Sequence, residues 1–135
     1  MLKWSQPPEA RLPSDKWRLY VFKGESPDPL ETLHIHRKSA FLFGRDATVA
    51  DVPLEHASIS KQHAVIQYRL VEVPREAGDM GPPTRTVKPY LLDLDSANGT
   101  LLNGRRVEGA RYIELKPKDV IRFGGSTREY VVVKE

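Results

Sequence analysis

His63-Ala64-Val65-Ile66-Gln67-Tyr68-Arg69-Leu70-Val71-Glu72-Val73 is the stretch that decides the fold class. In an extended chain Ala64, Ile66, Tyr68 and Leu70 fall on one side and Val65, Gln67, Arg69 and Val71 on the other, because successive side chains of a strand alternate faces. Both sides are partly apolar, so the pattern predicts a strand inside a β-sandwich, with material packed on each face of its sheet.

The neighbouring segments extend the same reading. Residues 74–86, rich in Gly and Pro with mixed charge, form a long hairpin loop, and the chain returns through residues 87–94 with Pro89 placed as at an edge strand or bulge. Upstream, Trp17, Leu19 and Val21 alternate with Arg18, Tyr20 and Phe22, a two-residue period. Residues 24–29 make a turn, 31–36 a returning strand, and 40–43 a short apolar run stopped by Gly44.

Downstream, short strands are expected at 100–102, 105–107, 112–115, 120–123 and 129–133. Asn98-Gly99 and Asn103-Gly104 read as hairpin turns, since both residue types accept positive φ at little cost. No stretch keeps a helical period over ten residues. About ten or eleven short strands imply an all-β antiparallel sandwich occupying residues 16–135. Residues 1–15, with three prolines, read as an N-terminal arm or linker.

Composition narrows the function classes. The 135 residues suit one domain, and the longest apolar runs are too short to span a membrane. There is no cysteine and no apolar leader at the start, so a secreted disulfide scaffold is excluded and a reducing cytoplasmic or nuclear setting is permitted. Net charge is +3 with a pI near 9.2, which suits an anionic partner. The basic residues are interleaved with eighteen Asp and Glu, which argues against a dedicated nucleic-acid face.

The chemistry-bearing residues lie on loops between these strands: Gly44-Arg45, Ser60-Lys61-Gln62-His63 and Ser96-Ala97-Asn98-Gly99-Thr100. Arg45 offers a fork of donors, Ser60 a hydroxyl, Lys61 an ammonium and Asn98 an amide, a set suited to recognising a phosphorylated peptide. Ser60 with His63 has no nucleophile elbow and no third member, so catalysis is not expected. His34 and His36 share a strand side, yet without cysteine or a third ligand they predict no metal, and no cofactor is expected. Asp93 reads as a turn former before the Ser96–Thr100 loop.

Gly44-Arg45, Ser60-x-x-His63 and Asn98-Gly99-Thr100 followed by Asn103-Gly104 resemble the signature of forkhead-associated (FHA) domains. That resemblance implies an eleven-stranded β-sandwich whose end loops bind a phosphothreonine-containing protein segment. It assigns Arg45, Ser60 and Lys61 to the phosphate and Asn98 to the peptide main chain. It assigns Gly44, His63, Gly99, Thr100 and Asn103 to support of the loops.

Two departures stand out. Ala97 replaces a hydroxyl residue common before the Asn, removing a donor of the kind that contributes roughly 1.5–3 kcal/mol to a charged group. Ser58 replaces a basic residue that in some members reads an acidic side chain, so that preference is not implied.

Further stretches, including Pro7-Pro8-Glu9-Ala10-Arg11, Trp17-Arg18-Leu19-Tyr20 and Ser126-Thr127-Arg128-Glu129-Tyr130, resemble FHA proteins of a pre-mRNA retention and splicing complex. This implies a nuclear setting, with subunits of that complex as partners and a monomeric domain. The alternatives are an architectural subunit docking through the arm or a sheet face over a weak phosphate site, and direct RNA contact.

Overall fold

The computed structural model describes all residues, Met1–Glu135. In chain order the strands are β1 (Trp17–Phe22), β2 (Glu31–His34), β3 (Ala40–Gly44), β4 (Val52–Pro53), β5 (Ala64–Glu72), β6 (Arg85–Asp93), β7 (Thr100–Leu102), β8 (Arg105–Arg106), β9 (Tyr112–Glu114), β10 (Val120–Phe123) and β11 (Glu129–Lys134). They form two facing sheets, one ordered β2-β1-β11-β10-β7-β8 and the other β4-β3-β5-β6-β9. The architecture is the expected all-β sandwich.

The core lies between the sheets. Leu19 and Val21 from β1, Ile66 and Tyr68 from β5, and Ile121 and Phe123 from β10 are buried there. Fully burying a side chain of this kind contributes about 1.5–3 kcal/mol. Phe43 stacks on Phe123 at 5.2 Å between centroids, and Tyr130 meets Phe123 edge-on at 5.1 Å, closing the end of the core that carries the candidate loops. Tyr68 donates its hydroxyl to the Ile35 carbonyl, and burial pushes that phenol well above its ordinary pKa.

Several local expectations change. β4 has only two residues and pairs with β3 in parallel, too short to leave a period in the sequence. The Asp51 carboxylate beside it accepts the Leu42 N–H at 2.7 Å, substituting for a ladder carbonyl. Pro89 is not on an edge strand: β6 lies between β5 and β9. Its nitrogen faces the β9 side just where the β9 ladder ends, and its carbonyl accepts the Leu115 N–H at 2.9 Å, so no ladder donor is missed. Asn98-Gly99 is not a hairpin turn, because β6 and β7 belong to different sheets and the loop crosses between them. Asn103-Gly104 is a true hairpin turn, with φ of 52° and 82°.

The outer face of the five-stranded sheet carries a second apolar cluster, Ala40, Leu42, Val65, Leu92 and Leu94, and Trp4 of the arm packs on it. Further along, where β5 runs past the end of β3, the arm takes the vacant edge: the Leu70 N–H donates to the Glu9 carbonyl at 2.8 Å, and Ala10 bridges antiparallel to Arg69. Glu9 pairs with Arg69 at 2.8 Å, and the Arg69 guanidinium faces both the Tyr90 and Tyr112 rings, 4.7 and 4.5 Å from their centroids. Nearer the start, the Lys3 N–H donates to Gln62 Oε1 at 2.8 Å and Gln62 Nε2 donates to the Met1 carbonyl at 2.7 Å, so the arm is engaged with its own domain from Met1 to Arg11.

Trp4 Nε1 is buried without a partner, so the residue acts through apolar packing alone. Trp4→Ala is expected to destabilise by about 2–3 kcal/mol and Trp4→Phe by under about 1 kcal/mol, as read by chemical denaturation. Equal losses for the two would show that the indole edge matters.

Candidate functional site

Three loops meet at one end of the sandwich: β3–β4 carrying Arg45, β4–β5 carrying Ser60 and Lys61, and β6–β7 carrying Asn98. The first two are laced by main-chain bonds, Arg45 N–H to the Ser60 carbonyl at 3.0 Å and Asp46 N–H to the Lys61 carbonyl at 3.2 Å. Gly44 permits this approach. A Cβ there would stand 2.1 Å from the Lys61 carbonyl oxygen, an impossible contact.

His63 fastens the second loop to the third. Its Nδ1 accepts the Ser60 N–H at 3.0 Å, so Nε2 carries the proton and donates to the Gly99 carbonyl at 2.9 Å. The ring is fully buried and meets Phe123 edge-on at 5.7 Å. Burial holds its pKa below the usual 6.5, against the opposing pull of the Gly99 bond and the Asp93 carboxylate. Nδ1 bonds the main chain of Ser60, not its hydroxyl, so the two do not form a nucleophile and base.

Asp93 organises the third loop. One carboxylate oxygen accepts the Ser96 N–H at 3.0 Å; the other accepts the Ser96 and Thr100 hydroxyls, both at 2.7 Å. Asp93, Ser96 and Thr100 are all buried. Asn103 secures the next turn: its Nδ2 donates to Asp119 at 3.0 Å and its Oδ1 accepts the Val120 N–H at 2.9 Å.

The proposed contact residues stand on this frame. Arg45 is exposed, and its Nε donates to the Ile59 carbonyl at 2.8 Å, which fixes the guanidinium and leaves both terminal nitrogens without protein partners. The Ser60 hydroxyl oxygen accepts the Ala97 N–H at 3.2 Å, leaving its proton to be donated. Lys61 is exposed and makes no ion pair within 4.0 Å. Its positive charge nevertheless contributes, behind the Thr48 hydrogen bonds, to holding the Asp46 carboxyl below its ordinary pKa. Asn98 Nδ2 donates to the Ser58 carbonyl at 2.8 Å, so one amide hydrogen ties the loops while Oδ1 and the other hydrogen stay free.

Ser58 was not singled out as a structural residue by its sequence. Besides its carbonyl bond to Asn98, its hydroxyl accepts the Gly125 N–H at 2.7 Å and lies 2.7 Å from His56 Nδ1. Ser58 in turn fixes glycine at 124, where a Cβ would meet Ser58 Oγ at 2.8 Å and the Ser58 carbonyl oxygen at 2.9 Å. His34 and His36 stand 6.2 Å apart, with no third His, Cys, Asp or Glu gathered to them.

The FHA-domain family model matches residues 41–124, the span that holds all three loops. The chain belongs to the FHA family. This FHA domain is 55% identical over 135 residues to mouse Smad nuclear-interacting protein 1, covering 100% of this chain and 34% of that protein, so it spans about a third of that curated relative. The solved structure of the yeast Pml1 splicing factor, described with its integration into the RES complex, superimposes with a TM-score of 0.79 at 28% identity, over 100% of this chain and 99% of that one. The fold is also that of the MEK1 FHA domain solved with a HOP1 phosphothreonine peptide, at a TM-score of 0.59 and 23% identity, covering 87% of this FHA domain and 96% of that chain.

The brace gives a pH signature. The folded pKa of His63 lies below its unfolded value near 6.5, so the unfolded chain takes the proton first; this contribution to stability is whole above 6.5 and is lost as pH falls from there through the folded value. His63→Gln, unable to titrate, is expected to weaken stability at pH 7.5 by about 1–3 kcal/mol. It should also flatten the decline between pH 7 and pH 5 in thermal melts, an interval set around the ordinary histidine pKa. A decline as steep in the variant as in the wild type would contradict the assignment.

Proposed function

We propose that this FHA domain is a non-catalytic module that binds a phosphothreonine segment of a partner protein. The observation that carries the reading is the convergence of unpartnered donors on a fixed frame: the Arg45 terminal nitrogens, the Ser60 hydroxyl and the Lys61 ammonium, from loops laced together and pinned by His63. A phosphothreonine carries about −1.5 to −2 charges and three acceptor oxygens at neutral pH. Three cationic or hydroxyl donors at one place answer that charge, and the free Asn98 Oδ1 is a main-chain acceptor that sets peptide register.

The setting we infer is a nuclear, splicing-associated assembly. Its support is the likeness to the Pml1 splicing factor and to Smad nuclear-interacting protein 1, together with the 32% identity over 121 residues to yeast pre-mRNA leakage protein 1, 78% of this chain and 53% of that protein. The arm works against the architectural alternative in its simplest form, because residues from Trp4 to Arg11 are already bound to their own sheet.

Calorimetric titration with matched phosphorylated and unmodified threonine peptides tests the binding reading. Micromolar affinity, near −8 kcal/mol, is expected for the phosphopeptide and none measurable for its unmodified twin. Arg45→Ala should weaken binding by about 10- to 150-fold, the equivalent of roughly 1.5–3 kcal/mol for a hydrogen bond to a charged group. Ala97→Ser, restoring a hydroxyl beside Asn98, should strengthen it by about tenfold. Equal affinity for both peptides would refute the proposal.

A further inference from the structure

Arg106 differs from the paired arginines and, unlike the other unpaired ones, rests against a candidate loop. Arg18, Arg69 and Arg111 have carboxylate partners at 2.6, 2.8 and 3.2 Å. Arg106 is exposed, has no carboxylate within 4.0 Å, and donates no side-chain hydrogen bond, although β8 places it one strand from the binding loop. Its donors are free.

The side chain is nevertheless located. Its Cδ, Nε and Cζ lie 3.0, 2.6 and 2.9 Å from the position a Cβ would take on Gly99, so the guanidinium end rests across the bare face of that glycine. Gly99 has φ of 81° and its carbonyl is held by His63, so the surface beneath the arginine is fixed by the same brace that fixes the site. An arginine already supported in this way loses less freedom on pairing than one extended into water.

The position also has a charge logic. Gly99 directly follows Asn98, whose free amide atoms face a bound main chain in the proposed reading, and the loop's own potential hydroxyl donor is replaced by Ala97. In the proposed reading, a peptide whose main chain lies on Asn98 and extends toward β8 would pass the Arg106 guanidinium. Five N–H groups in a planar fork match a carboxylate in two-bond geometry.

We propose that Arg106 is a specificity-determining residue that pairs with an Asp or Glu side chain flanking the phosphothreonine on the β8 side of the site. This rests on the phosphopeptide reading. It supplies an acidic preference from β8 where the Ser58 position supplies none.

The test is fluorescence anisotropy with a phosphothreonine peptide in an alanine background and a single Asp moved one position at a time through its flanks. The wild-type protein should gain about 3- to 5-fold in affinity at one flanking position, the scale of a partly exposed ion pair, and the gain should shrink with salt. Arg106→Gln should remove that gain while weakening binding of the parent peptide by no more than about twofold, as expected for one exposed charge. Arg106→Glu should turn the preference at that same position from Asp to Lys, which controls for misfolding because it is a gain. Three results overturn the inference: no favoured Asp position, a favoured position that survives Arg106→Gln, or an equal loss across all peptides, which would make Arg106 another phosphate contact. Failure of the underlying reading is separately visible, as equal binding by the wild type of the parent peptide and its unphosphorylated twin.

Discussion

The neutral imidazole of His63 is the constraint on which the rest of the site depends. One ring nitrogen accepts a hydrogen bond from the Ser60 N–H and the other donates one to the Gly99 carbonyl, so a single planar group sets the spacing of two loops from different strands. Such a ring can do this only uncharged, and burial against Phe123 keeps it so. Removing it would leave a buried donor and a buried acceptor unpaired, each costing about 1–3 kcal/mol. The core and the candidate loop end are thus one structure: the aromatic stack of Phe43, Phe123 and Tyr130 ends on the ring that positions Ser60.

Asp93 plays the complementary part. It gathers the Ser96 amide and two hydroxyls beneath the loop that carries Asn98, and a network whose members are all satisfied is stiff in a low-dielectric setting. Between them, His63 and Asp93 use buried polar groups to hold loops, while exposed polar groups on the same loops remain free. In the proposed reading, that division separates support from contact. It also explains why Gly44 and Gly99 are glycines for different reasons, one for close approach to Lys61 and the other for a positive φ beneath an arginine.

Much of the sandwich was legible because its strands announce themselves by alternation. β5 shows both faces apolar, and both are buried, Ile66 in the core and Val65 beneath Trp4. What escaped was structure without a period. β4 is two residues held by a side-chain carboxylate, and the arm joins the sheet through three residues in an otherwise irregular run. Asn98-Gly99 misled because the same dipeptide serves a hairpin and a crossover, a choice made by which sheets the flanking strands join. The proposed contact residues stood out in the sequence as a set of loop donors, and Arg106 as one of several basic residues near them, whereas the place of Ser58 arises from packing against Gly124, distant in sequence.

The domain that results is a rigid end-surface of a sandwich, cationic where its loops converge and closed on its flank by its own arm. Nuclear magnetic resonance titration of the labelled protein with a phosphothreonine peptide tests the central claim most directly. The largest amide shifts should fall on Arg45, Ser60, Lys61 and Asn98, and the unphosphorylated peptide should leave those signals in place. Shifts concentrated on the arm or an outer sheet face, or identical for both peptides, would contradict the account.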